Sequence, residues 1–266
     1  MTATEPAASY VRVVDSVLEI TISTADRGTS MDFAGINAGS AALRDLDPEV
    51  GAILLVGAGA NFCAGGDVRA FHDAPDRGAY IRGLAADLHE FVRLLAAAPV
   101  PVVAGVQGWA AGAGMSLVCA ADIAIGSPAT RLRPAYPGIG LTPDGGMSWT
   151  LPRIVGTGRA TEILLTDAVI TGDDAVRLGV LSRLVGDEVL TDEALRVART
   201  LAAGPITSYA GIKRLLAESA TSTLSAQLDR EEEAIGTAAD SPVGIEGVNA
   251  FVEKRRPNFN GGTDEA

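Results

Sequence analysis

Three glycine-rich segments carry the residues whose types and spacing could do chemistry in this chain. They are Asn61-Phe62-Cys63-Ala64-Gly65-Gly66-Asp67-Val68, then Gly108-Trp109-Ala110-Ala111-Gly112-Ala113-Gly114-Met115-Ser116, then Pro137-Gly138-Ile139-Gly140-Leu141-Thr142-Pro143-Asp144-Gly145-Gly146. A glycine turn that opens a helix exposes backbone N–H groups at the positive end of the helix dipole, a ready site for an anion or a developing oxyanion. Two such turns facing each other would supply two convergent donors. Phosphate is the obvious rival ligand, but neither G-x-x-x-x-G-K-[ST] nor a complete G-x-G-x-x-G occurs. Gly57-Ala58-Gly59-Ala60-Asn61-Phe62 places Phe62 where the last glycine is required. The other reading of the same glycines is turns and close helix packing.

The segments need elements to position them, and β-rich runs precede them at residues 11–22, 52–56, 101–106 and 122–125. Between these lie helical patterns. Leu84, Leu88, Phe91 and Leu95 recur at i, i+4, i+7 and i+11, one face of a helix. Strands alternating with helices imply crossover connections and largely parallel pairing, an α/β core. Residues 191–250 read as almost wholly helical, with a start at Thr191-Asp192-Glu193 and a break at Gly204-Pro205. Within them, 227–238 read as an exposed amphipathic helix whose acidic run Glu231-Glu232-Glu233 is a solvated face. The division expected is a core over 1–195 and a C-terminal helical region over 196–266, with the tail Gly261-Gly262-Thr263-Asp264-Glu265-Ala266 disordered.

Composition bounds the function. The chain has 266 residues, 21 Lys+Arg against 33 Asp+Glu and a formal charge of −12, a balance that argues against nucleic acid or an anionic membrane as partner. At 47% hydrophobic residues it can bury a sizeable core. Cys63 and Cys119 lack C-x-x-C spacing, and His72 and His89 are the only histidines, so neither a disulfide framework nor a metal site is implied. The N-terminal segment lacks the pattern of a signal peptide, and no run approaches the ~20 apolar residues of a membrane helix. The expectation is a soluble, cytoplasmic protein.

Read together, NFCAGGDV, PVPVVAGVQGWAAGAGMSLVCAADIAI, PGIGLTPDGGMSWTLPRIVGTGRATEILLT and EGVNAFVEKRRPNF resemble, in order, the signatures of the enoyl-CoA hydratase/isomerase (crotonase) superfamily. The pattern departs at residues 26–33, which border the expected pocket. The resemblance implies a crotonase-like spiral of ββα units with a C-terminal helical trimerisation region, a homotrimer or a hexamer built as a dimer of trimers. It also implies an acyl-CoA thioester as substrate, with no cofactor beyond that CoA. The N–H groups of Gly66 and Ala113 would form an oxyanion hole for the thioester enolate. Phe62, Ala64 and Arg69 fall where relatives contact CoA, and Phe251 and Lys254 where a neighbouring subunit contributes. Asp67 reads as a helix cap.

The resemblance also bears on the reaction. Hydratases of the family use two glutamates to activate water, and Ser116 and Tyr136 stand at those positions. Neither supplies a carboxylate base. Asp144 remains, in a Pro-Asp-Gly-Gly context that in isomerase-type members carries the acid/base, and a single carboxylate suits a double-bond shift. His89 with Asp144, Tyr136 replacing a tryptophan, resembles the chlorobenzoyl-CoA dehalogenases, although His89 lies beside an apolar stripe where a packed histidine is also expected. Isomerisation is the leading expectation. Hydration by atypical residues, dehalogenase-like hydrolysis and a catalytically idle acyl-CoA-binding protein stand beside it; RNA binding, known among relatives, is opposed by the charge.

Overall fold

A computed structural model describes residues 10–259. Its main sheet has six strands in the order β1-β2-β3-β4-β6-β9. The run expected at 11–22 is a hairpin: β1 (Val11–Val14) and β2 (Val17–Thr24) pair antiparallel across Asp15 and Ser16. Both turn residues have positive φ, 52° and 59°, as a tight two-residue hairpin requires. From β2 onward the order is parallel: β3 (Ala52–Ala58), β4 (Val102–Val106), β6 (Ile123–Gly126) and β9 (Arg183–Leu184).

β3 and β4 are apolar along nearly their whole length because both faces of the sheet are covered. Ile53 and Leu55 point into one cluster and Ala52 and Leu54 into the other, the period-2 alternation of a strand. The larger cluster is closed by α1 (Phe33–Arg44) and α3 (Arg77–Ala97), through Ile36, Leu43, Leu88, Phe91 and Leu95. The helical face read from Leu84, Leu88, Phe91 and Leu95 is the inward face of α3, with Leu84 at its edge. The smaller cluster is closed by α8 (Leu190–Ala202), through Ala194, Val197, Ala198 and Ala202.

α8 corrects the expected division of the chain. A boundary at 195 would cut this helix in two, and its buried face belongs to the core; the separate helical region begins after the break at Gly204-Pro205. It comprises α9 (Ile206–Ser219), α10 (Leu224–Asp240) and α11 (Pro242–Glu253). Among these three helices only Ala250 is buried. Ile212, Leu216, Leu228, Ile235, Val248 and Phe251 are exposed apolar side chains on them. The tail from 260 lies outside the described residues. Among the described residues no helix is long and apolar enough to cross a membrane.

A second sheet, β5 (Trp109–Ala111), β7 (Arg131–Arg133) and β8 (Ile170–Thr171), was not legible in the sequence pattern. Two or three residues are too few to display a period of 2. β5 runs directly into α4 (Ala113–Ala120), and Cys63 bridges to Ala110 beside it. That bridge brings the first glycine segment against the second.

Candidate active site

Gly65 adopts φ +95° and Gly112 φ +54°, and each approaches the other closely: a Cβ on Gly112 would lie 3.7 Å from the Gly65 Cα. Both conformations lie where side chains are disfavoured. Met31 N–H donates to the Gly65 carbonyl and Gly112 N–H to the Arg133 carbonyl, fixing the two turns from opposite sides. Gly114 seats the helix: a Cβ there would overlap the Cys63 carbonyl oxygen, so α4 can lie against the first segment only because this residue has no side chain. The outcome is a cleft of about 600 Å³ that includes Gly66 and Ala113. Ala113 is the first residue of α4, and among the described residues neither its N–H nor that of Gly66 has a hydrogen-bond acceptor. These are the two donors the sequence singled out.

Asp144 lines the same cleft. It is followed by Gly145 and Gly146, both left-handed (φ +59° and +83°), which bend the chain into α5 (Met147–Val155). The bend sets the Asp144 main chain over α4, where the Ser116 hydroxyl donates to the Asp144 carbonyl oxygen at 2.8 Å. The Tyr136 phenol donates to Asp144 Oδ1, also at 2.8 Å, and lies 3.2 Å from Ser116 Oγ. Ser116 is fully buried and Tyr136 nearly so. Burial first, and the Asp144 charge second, push the Tyr136 hydroxyl well above its ordinary pKa, so it stays a neutral donor. No protein donor reaches Asp144 Oδ2 among the described residues.

His89, on α3, lines the same cleft, and its Nε2 accepts the Gly145 N–H at 3.1 Å. The remaining ring proton is therefore on Nδ1, and the lone pair a base would use is engaged. Apolar walls complete the cleft, with Ile81, Leu84, Leu88, Ile139 and Leu141 among them. Among the described residues, the acidic ones that line it are Asp144 and Asp167. Asp167 is committed: Oδ2 accepts from Arg133 Nε and Nη2 at 3.1 and 2.7 Å, and Oδ1 accepts the Ala135 N–H at 2.7 Å.

The remaining sequence candidates are placed differently. Ala64 lines the cleft. Asp67 caps α2 (Val68–Asp73), accepting from the Arg69 and Ala70 N–H groups. Arg69 is exposed on α2. Phe62 is a correction: it is fully buried, its N–H donates to Gln107 and its carbonyl accepts from Ser23, so it packs beneath the cleft and offers no surface to a ligand. Phe251 and Lys254 lie on or just past α11 and do not line this cleft. The Arg133–Asp167 pair was missed, since 34 residues separate the partners and no spacing rule joins them. Burial also pushes the Cys63 and Cys119 thiols up to about 12. Among the described residues no cluster of three His, Cys, Asp or Glu could hold a metal.

Gly66 and Ala113, whose N–H groups have no partner among the described residues, share one largely apolar cleft with the carboxylate of Asp144. The chain belongs to the enoyl-CoA hydratase/isomerase family, which it matches over residues 13–262. It is similar to the 1,2-epoxyphenylacetyl-CoA isomerase of Escherichia coli strain K12, 37% identical over 81% of this chain and 83% of that protein. It is also similar to 4-chlorobenzoyl coenzyme A dehalogenase-1 of an Arthrobacter species, 31% identical over 78% and 76%. The crystal structure of an enoyl-CoA hydratase from Polaromonas sp. JS666 superposes with a TM-score of 0.86 at 31% identity, covering 93% of this chain and 98% of that one. The crotonase-like α/β fold with a C-terminal helical region, implied by the sequence resemblance, is the fold observed. The family acts on acyl-CoA thioesters.

Proposed function

We propose that this protein shifts a carbon–carbon double bond in an acyl-CoA thioester, with Asp144 as acid/base. One observation carries the reading: of the two carboxylates in the cleft, Asp167 is spent on Arg133 and Ala135, leaving Asp144 alone with a free oxygen. Hydration by paired glutamates has no second carboxylate to draw on, because hydroxyls of Ser116 and Tyr136 occupy those places. In the proposed reaction the thioester oxygen sits on the Gly66 and Ala113 N–H groups. Negative charge developing there meets donors already aimed at it, each worth roughly 3–4 kcal/mol of barrier. Asp144 takes a proton from C2 of a 3-enoyl thioester and returns it to C4.

Ala64 and Arg69, with Phe251 and Lys254 of a neighbouring copy, would hold the CoA arm. The last two require assembly, which the exposed apolar side chains of α9, α10 and α11 support; a homotrimer or a dimer of trimers is the form proposed. The setting proposed is the cytoplasm, in keeping with two unpaired cysteines. Dehalogenase-like hydrolysis is disfavoured by the Gly145 N–H on His89 Nε2. The test is a panel of 3-enoyl-, 2-enoyl- and aromatic acyl-CoAs followed by absorbance of the conjugated thioester. Turnover of the 3-enoyl member supports isomerisation, hydration of the 2-enoyl member overturns it, and tight binding with no turnover identifies an idle acyl-CoA-binding protein.

A further inference from the structure

The sequence resemblance gives Ser116 and Tyr136 only as places where glutamates are missing, yet the two hydroxyls form a closed, buried arrangement around Asp144. Each carries a single hydrogen. That of Tyr136 goes to Asp144 Oδ1 at 2.8 Å and that of Ser116 to the Asp144 carbonyl oxygen at 2.8 Å. Side chain and main chain of Asp144 are thus held at once, one by each hydroxyl.

Tyr136 is itself aimed. The residue before it, Ala135, has φ +58°, a left-handed conformation that an alanine adopts only under strain. It persists because Asp167 grips the Ala135 N–H while Arg133, two residues back, grips Asp167. Strain held in place by a charged clamp beside a reacting group is a device for setting direction.

We propose that Tyr136 is a positioning residue that, by occupying Oδ1, reserves Oδ2 of Asp144 as the single atom that receives and returns the migrating proton. The inference rests on the isomerase reading above. The C2–H bond breaks and its proton goes to Oδ2, while its electron pair spreads through C3=C4 and the carbonyl onto the thioester oxygen. Reprotonation breaks the Oδ2–H bond and forms C4–H, and the electron pair returns to leave C2=C3 and the thioester carbonyl. With Oδ1 held by the phenol, the carboxyl cannot rotate its new proton away from the substrate, so the proton that leaves C2 is the one that arrives at C4. A carboxyl free to rotate would present it to water instead.

The experiment is isotopic. A 3-enoyl-CoA deuterated at C2 is turned over in ordinary water, and the product is assayed for deuterium at C4 by mass spectrometry. The intact protein is expected to carry over a substantial fraction of the label. Tyr136→Phe is expected to lose most of it, with kcat reduced roughly tenfold and KM changed less than twofold, a split that loosened packing would not produce. Asp167→Asn keeps the phenol and loosens only its clamp; it should move both readouts the same way by less, and it provides the test should Tyr136→Phe fail to fold. Unchanged label transfer in the folded variant overturns the inference. Asp144→Asn separates the two levels: if it still turns over, the isomerase reading fails, and if it is inactive while Tyr136→Phe transfers label normally, only the role of Tyr136 fails.

Discussion

Tyr136 donates to Asp144 Oδ1 at 2.8 Å, while among the described residues Oδ2 of the same carboxylate, on a side chain that lines the cleft, accepts from no protein donor. The two oxygens of one side chain are therefore chemically unequal before any substrate arrives.

Asp144→Asn removes the proton acceptor and keeps the shape. It should lower kcat by about 10²–10⁴-fold, the usual span for a lost general acid/base. Acyl-CoA affinity measured by calorimetry should change little. Activity near that of the unaltered protein would remove Asp144 from the reaction.

Gly114→Ala places a methyl group against the Cys63 carbonyl and forces α4 away from the first glycine turn. Overpacking of this kind costs about 1–3 kcal/mol. Thermal unfolding should report the loss. Because Ala113 is the next residue toward the N-terminus, kcat should fall further than stability alone accounts for, and a variant less stable but equally fast would show that the Ala113 N–H is not used.

The clamp at Ala135 makes a two-step prediction. Asp167→Ala should destabilise the protein and reduce kcat, since the left-handed Ala135 loses its grip. Adding Ala135→Gly should recover part of the stability, because glycine reaches φ +58° without the alanine penalty of about 1–2 kcal/mol. Strictly additive effects in the double variant would mean that the clamp and the strain are unconnected.

Glu193 on α8 is held down to about 2, first by a hydrogen bond from Arg196 and further by Arg183 on β9. A depressed carboxylate contributes stability above its unfolded value of 4.5 and loses it as pH falls from there toward 2. Glu193→Gln should therefore melt at a lower temperature than the unaltered protein at neutral pH. The gap should close across that acidic window; a gap independent of pH would point to packing in place of charge.

Ile235, 73% exposed on α10, is an apolar side chain that a monomer leaves in water. Ile235→Glu should reduce the assembled mass seen by sedimentation velocity if α10 lies in the subunit interface. The same mass before and after substitution would place the interface elsewhere.

The geometry of the candidate site was legible where it is local. Asp144 sits in a short motif, the two donors follow glycines whose conformations only glycine takes readily, and the inward face of α3 is spelled by four spaced residues. What escaped is what the chain brings together from afar. Arg133 ends β7, a strand too short to show periodicity, and meets Asp167 at the C-terminus of the helix Thr157–Thr166, 34 residues later. Phe62 was read as a ligand contact from its place in a glycine segment, but which side of a turn faces the core is decided by the neighbouring β5 and by Ser23, and neither leaves a mark in the local sequence. The boundary at 195 falls inside α8: the break at Gly204-Pro205 marks the end of that helix, but only its burial against β3 and β4 assigns it to the core.

The closeness of α4 to the first glycine segment has a consequence for how this site can vary. The Ala113 N–H is located by the positive-φ turn at Gly112 and by the missing side chain of Gly114, so that part of the cleft is specified by backbone and tolerates little addition at Gly114. Diversification of substrate is left to side chains elsewhere in the cleft, such as Ile81, Ile139 and Leu141, which can grow, shrink or change polarity without adding bulk at Gly112 or Gly114.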